Sequence, residues 1–262
     1  MHIYLTLSTD GSMEVPLQYN HIVQAMIYDS IDPDLATFLH EKGYQTGSRV
    51  FKLFTFSRLL GPFQIDRSNG LIRFKDKITL VISSPFDEFC QSIANGILIK
   101  SKLRLGKQEV KVEKMAVQQY IIQKEQVVLK CLSPVVVYST FFRPDGRKYT
   151  CYFQPGETDH ELLLEKNLRK KYRAFHRTEA PSGRLTVRKI GRGQMRLVKY
   201  KDTVIKGYSG KLALKGPREL LQMAVDAGIG SKNSQGFGCV EIIKEKASDS
   251  DENQIIKCVG RV

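Results

Sequence analysis

Hydrophobic and polar residues alternate over residues 2–8 (HIYLTLS), the period of a half-buried strand, and Asp10-Gly11 supplies the turn that ends it. Over 19–31 the spacing changes to three and four, with Ile22, Ala25, Met26 and Ile27 on one helical face. Asp32 then stands as an N-cap with Pro33 at the first helical position, which predicts a second short helix stopping at Gly43. Residues 50–57 and 71–82 return to a strand pattern, Ser84-Pro85 caps a helix to about 99, and 103–119 reads as a strand. A similar order follows: a strand at 126–132, a helix at 159–177 capped by Asp159, and strands at 184–189 and 196–214 broken by glycines. A helix from Pro217 to about 227 and a strand at 236–243 complete it. This doubled βαββαβ order predicts an α+β protein of tandem duplicated ferredoxin-like (RRM-like) domains. The expected units are residues 1–123 and 124–246, followed by a polar, solvated tail at 247–262.

Composition adds a partner to this picture. A chain of 262 residues, 42% hydrophobic and 26% charged, is long enough for two cores and is not a disordered sequence. Its formal net charge of +14 is concentrated: residues 143–218 hold 20 Lys and Arg against 7 Asp and Glu. Such a surplus favours an anionic partner, nucleic acid or an acidic membrane surface. No apolar run approaches the roughly 18 residues needed to span a bilayer, and the first residues lack a signal-peptide pattern. Cys90, Cys131, Cys151, Cys239 and Cys258 are scattered without a CxxC, which argues against a disulfide framework or a zinc site and for a reducing cytoplasm. Asp32 and Asp34 read as helix-start residues and Asp249, Asp251 and Glu252 as tail residues, so no carboxylate cluster suits magnesium. Neither a metal nor a cofactor is expected.

The predicted helix 159–177 carries Lys166, Arg169, Lys170, Arg173 and Arg177 at three- and four-residue steps, opposite a stripe of Leu164, Leu168, Tyr172 and Phe175. One face packs; the other is either a solvated surface or a face that tracks phosphates. Arg188 and Arg192, and Lys232 in the loop before the last strand, extend this candidate nucleic-acid-binding set. That loop, Gly228-Ile-Gly230-Ser-Lys-Asn-Ser-Gln-Gly236-Phe-Gly238, is glycine-rich but runs from helix to strand, the reverse of a nucleotide phosphate loop. Glycines without a Cβ could instead let backbone amides approach a phosphodiester.

GIGSKNSQGFG closing a doubled ferredoxin-like pattern, with YNHIVQAMIYDSIDPDLATFLHEKG and FKLFTFSRL in the first half, resembles the CRISPR-associated repeat-processing endoribonucleases. The resemblance covers about 1–245 and is vague between 130 and 200. It implies metal-independent cleavage of CRISPR precursor transcripts within each repeat, giving guide RNAs. The partner it implies is repeat RNA, single-stranded or hairpin, with other interference-complex subunits or a second copy of the chain as further candidates. Carried over by position, the tyrosine of MIY is Tyr28, the histidine of FLH is His40 and the lysine of FKLF is Lys52. Attack by a ribose 2′-hydroxyl on its adjacent phosphate, giving a 2′,3′-cyclic phosphate and a 5′-hydroxyl, needs a base, an acid and a cation. The resemblance leaves open which of Tyr28 and His40 is base and which acid. Each residue also has a plainer role: Tyr28 as a packed aromatic, His40 as a complement to a helix dipole, Lys52 as a solvated strand lysine. A non-catalytic RNA-binding subunit would share the fold and loop, and the trio is what favours an enzyme.

Overall fold

The computed structural model describes residues 1–100 and 102–243, together with the backbone of 258–260. The alternation at the start of the chain becomes strand β1 (His2–Ser8), with Ile3, Leu5 and Leu7 buried. It is flanked on both sides, because both of its edges find partners. β2 is Thr55–Phe56, β3 Ile78–Ser83 and β4 Gln108–Gln118, and Leu5 lies opposite Leu80 of β3 and Met115 of β4. The antiparallel order β4-β1-β3-β2 is that of a ferredoxin-like sheet. Helices α1 (Asn20–Asp29), α2 (Pro33–Glu41) and α3 (Asp87–Lys100) complete the unit; Val23, Met26 and Ile27 of α1 and Phe89, Cys90, Ile93 and Ile97 of α3 enter its core.

The second half repeats the arrangement with β5 (Gln126–Cys131), α4 (Thr158–His176), β6 (Thr186–Tyr200), β7 (Thr203–Lys215), α5 (Arg218–Asp226) and β8 (Val240–Ile242). Its sheet runs β8-β5-β7-β6, the same order, with Leu129 opposite both Leu212 and Ile242. The protein is therefore a tandem duplicated ferredoxin-like fold. The two cores meet where Phe86 of the first half packs between Tyr44, stacked at 4.0 Å, and Phe175 of α4, edge-on at 4.7 Å.

Four expectations change. The run 71–82 divides: Leu71–Phe74 leaves to pair with Met13–Pro16 and Phe63–Asp66, and only Ile78–Ser83 stays in the main sheet. The strands expected at 184–189 and 196–214 are one long hairpin with a register shift between Ile190 and Gln194. Helix α4 starts with Glu157 rather than Asp159 at its N-cap. Finally, the expected polar tail lies outside the described residues except for Cys258–Gly260, which pair with Met115–Val117 at the edge of the first sheet. Backbone pairing there closes part of a free strand edge. Among the described residues, no helix is long and apolar enough to cross a membrane.

Candidate active site

Asp32 is the hinge that brings the first two candidate residues together. Its carboxylate accepts from the Asp34 and Leu35 amides at 2.9 and 3.1 Å, capping α2 immediately after α1 ends. Tyr28, in the last turn of α1, and His40, in the last turn of α2, then meet edge to face with ring centroids 6.2 Å apart. Tyr28 is half-buried against Phe54, while His40 is exposed.

Lys52 reaches them because the expected strand 50–57 is broken. Arg49–Phe51 pairs with Tyr44–Thr46, Thr55–Phe56 joins the main sheet, and Leu53 between them has φ +52. That left-handed turn costs about 1–2 kcal/mol for a non-glycine residue and is held by Ser84 Oγ, which donates to the Leu53 carbonyl at 2.9 Å. It separates three consecutive side chains. Phe54 enters the first core, Leu53 enters the second, and Lys52 turns to the surface, its Nζ donating to the His40 carbonyl at 2.9 Å. The structure thus brings Tyr28, His40 and Lys52 into one neighbourhood. Burial, with the nearby Tyr200 hydroxyl, pushes Tyr28 up to about 12, so its hydroxyl keeps its proton near neutral pH; partial burial draws Lys52 below the usual lysine range.

Lys52 also lines a cleft of about 330 Å³ between the two halves. Arg49, Lys166, Lys170 and Lys232 line it too, and among the described residues no Asp or Glu does. Lys232 is held at φ +63 with its Nζ 5.5 Å from the Tyr138 ring. Such a wall concentrates positive potential on whatever enters.

The expected five-cation stripe on α4 is divided by its surroundings. Lys166 and Lys170 line the cleft, whereas Arg169 is bonded to Glu165 at 2.8 Å, to the Pro181 carbonyl at 2.6 Å and to the Gly183 carbonyl. Arg173 pairs with Glu179 at 2.7 Å, and Arg177 is the left-handed C-cap of the helix. Arg188 and Arg192 are exposed on β6 and do not line the cleft. A guanidinium with two backbone carbonyls and a carboxylate around it clamps the 177–185 turn, so Arg169 is engaged within the protein.

The glycine-rich loop is also differently employed. Gly228, Gly230, Gly236 and Gly238 all have φ between +72 and +84 and are buried. A Cβ at Gly230 would stand 2.5 Å from the Val136 carbonyl, one at Gly236 2.5 Å from the Phe56 ring, and one at Gly238 against the Ile229 carbonyl. These glycines let the loop pack into the protein, and of the four only Gly230 lines the cleft. What faces the cleft is the stretch Gly230–Ser234. Asn20 and Gln24 of α1 donate to the Gln235 and Ser234 carbonyls at 2.8 and 2.7 Å, and Thr55 donates to the Phe237 carbonyl at 2.9 Å.

From the other side the loop is tied by a residue that the basic-stripe pattern hides. Lys171 is fully buried, and its Nζ donates to the Gly228 carbonyl at 2.6 Å and the Gly230 carbonyl at 3.0 Å. Desolvation lowers it to about 7. In neutral form its amine has two N–H donors for these two carbonyls. Its signal in the sequence is a lysine three residues after Leu168 and seven after Leu164, on the packing face. Tyr200, whose hydroxyl bonds Gln24 one turn from Tyr28, had no such signal, since β6 brings it there from 172 residues away.

Two ferredoxin-like units clasping a glycine-rich loop beside an acid-free cationic cleft define a protein of the RNA-processing class. Its relatives place it more narrowly. The family described as "CRISPR-associated protein Cas6, N-terminal" matches residues 14–116, and "CRISPR associated protein Cas6, C-terminal" matches 113–242. The chain is 31% identical to CRISPR-associated endoribonuclease Cas6 1 of Methanocaldococcus jannaschii over 94% of each chain. It is 26% identical to CRISPR-associated endoribonuclease Cas6 of Pyrococcus furiosus, covering 94% of this chain and 90% of that one. A solved structure titled "CRISPR associated protein Cas6" superposes with a TM-score of 0.76 at 30% identity, over 93% of this chain and 99% of that one. The chain belongs to the Cas6 family of CRISPR-associated endoribonucleases.

Proposed function

We propose that this protein cleaves CRISPR precursor transcripts within their repeats to release guide RNAs, with the repeat RNA held in the cationic cleft and cut beside Tyr28, His40 and Lys52. Lys52 carries the reading: one ammonium both lines the cationic cleft and bonds the His40 backbone carbonyl at 2.9 Å, which joins the cleft to the end of α2 that bears the imidazole. In this reading the unit of residues 1–123 supplies the reacting side chains, and residues 124–246 supply most of the cleft's cations.

The reaction is attack by the 2′-hydroxyl upstream of the scissile bond on its own phosphate. The O2′–P bond forms, the P–O5′ bond breaks, and the products are a 2′,3′-cyclic phosphate and a 5′-hydroxyl. Burial keeps Tyr28 protonated, which supports a donating role: in this reading it supplies a proton towards the departing 5′ oxygen. His40, the imidazole of the trio, then takes the proton from the 2′-hydroxyl. Lys52 neutralises charge that develops on the phosphorane oxygens. Among the described residues, no group of three or more His, Cys, Asp or Glu side chains is placed to hold a metal ion, and each step above uses only the chain's own side chains.

Labelled repeat RNA incubated with the protein in excess EDTA tests this directly. Cleavage should persist and leave cyclic phosphate and 5′-hydroxyl ends. A 2′-deoxyribose immediately upstream of the scissile phosphate should abolish the cut while changing affinity less than ten-fold, since one hydroxyl hydrogen bond contributes about 1 kcal/mol. Cleavage of that deoxy substrate, or a 5′-phosphate product, would sink the scheme. Tight binding with no cut on the all-ribose RNA would make the chain a non-catalytic binder.

A further inference from the structure

Between β5 and α4 stands a hairpin, Tyr138–Phe142 paired with Lys148–Tyr152, whose strands, among the described residues, pair only with each other. Every residue from Thr140 to Thr150 is exposed. A two-stranded hairpin is at best marginally stable alone in water, and this one holds Phe142 at 70% exposure near its tip. Its register puts Tyr138 opposite Tyr152 and Phe142 opposite Lys148. Tyr138, Phe142 and Lys148 therefore share one face, while Phe141 and Tyr149 share the other.

The first of these faces is continuous with the cleft, because Tyr138 lines it and Lys232 Nζ stands 5.5 Å from the Tyr138 ring. The face thus carries an aromatic and a cation at its root, Tyr138 with Lys232, and again about 14 Å further out, four strand residues away, Phe142 with Lys148. An exposed π face beside an ammonium suits an unpaired base and its phosphate. The opposite face is differently occupied, since the Arg143 guanidinium covers the Tyr149 ring at 5.4 Å and Arg147 pairs with Asp145 at 2.6 Å.

We propose that the hairpin Tyr138–Tyr152 is a stacking arm that takes an unpaired stretch of RNA out of the cleft, with a base on Phe142 and its phosphate at Lys148. The proposal rests on the RNA-cleaving reading above and adds to it a second, non-reacting contact. A second copy of the chain is the rival occupant, but two such arms would bring their own cations together.

The test uses the full chain as wild type, Phe142→Ala and Phe141→Ala, with a labelled CRISPR repeat RNA and versions of it carrying runs of abasic residues away from the scissile bond. Phe142→Ala should bind the intact RNA roughly ten-fold more weakly, the effect of losing one stacked base. The slope of log affinity against log salt should not change, because stacking releases no counterions. One abasic run should weaken wild type equally and add nothing to Phe142→Ala. Phe141→Ala should behave as wild type, with thermal melting reporting that all three proteins are folded. Equal affinity of Phe142→Ala and wild type, equal losses in both variants, or no effect of any abasic run overturns the arm while leaving cleavage in the cleft untouched. A wild-type dimer in sedimentation that Phe142→Ala dissolves without changing RNA affinity makes the arm a self-association surface and also overturns it. Failure of wild type to bind any of these RNAs sinks both readings.

Discussion

The Lys52 ammonium donates to the backbone carbonyl of His40 at 2.9 Å, so the end of α2 and the break between two strands hold each other in place. Removing the Lys52 side chain therefore leaves the His40 carbonyl without this donor. Lys52→Met should slow single-turnover cleavage by about a hundredfold or more, the scale of losing one electrostatic stabiliser of a developing charge, while repeat affinity falls by much less. A variant that loses affinity and rate in the same proportion would make Lys52 a binding residue only.

His40→Ala should lower the single-turnover rate roughly a hundredfold or more with near-native affinity, as for loss of a general acid or base. Normal cleavage by this variant alongside a dead variant of another histidine would show that the trio sits elsewhere.

Tyr28 is held up at about 12 by burial and by Tyr200, so a neutral hydroxyl is present throughout pH 6–9.5. Tyr28→Phe should reduce the rate without changing the shape of the pH–rate profile in that range. If Tyr28 instead acted as the base, the wild-type rate would climb about ten-fold per pH unit towards pH 10, and the variant would lose that climb.

The cations of α4 and of the glycine-rich loop should separate by salt dependence. Replacing Lys166, Lys170 and Lys232 together with Ala should flatten the slope of log affinity against log salt by roughly two units, about 0.7 for each single-strand phosphate that is no longer neutralised. Arg169→Ala should leave the slope unaltered and lower stability by about 1–3 kcal/mol, because its removal leaves the Pro181 and Gly183 carbonyls without their donor. The reverse pattern, seen in paired denaturation and binding titrations, would return Arg169 to the RNA face.

Lys171 predicts a pH dependence of stability. Its folded value near 7 lies below the unfolded lysine value of 10.5, so between these limits the unfolded chain binds more protons and stability rises with pH. The contribution is most unfavourable below about pH 7, where the buried amine must be charged, and is relieved as pH climbs. Lys171→Met removes this titration. Urea denaturation should show wild type gaining on the variant by up to about 1.4 kcal/mol per pH unit above pH 7. A difference that stays flat from pH 7 to 9 would mean that Lys171 keeps an ordinary lysine's proton in the fold.

Local pattern was enough for much of this protein. Alternation in 2–8, the helical spacing of Ile22, Met26 and Ile27, and the Asp32-Pro33 start are effects within a few residues, and they mark β1, α1 and α2. Tyr28 and His40 are singled out by resemblance to a family, and their contact is made by the packing of the two helices. Spacing also separated the two faces of α4. It could not say which cations of the outer face are free, because Arg169 is occupied by carbonyls of a turn twelve and fourteen residues on. Nor could it show that Lys52 leaves its strand, since the left-handed Leu53 is held by Ser84 and by two cores that exist only once both halves are packed. The glycines at 228, 230, 236 and 238 are evident as glycines from the chain. That they are buried, with a lysine beneath them and α1 clasping them from above, comes from contacts across 57 to 216 residues, where packing rather than periodicity selects the side chain.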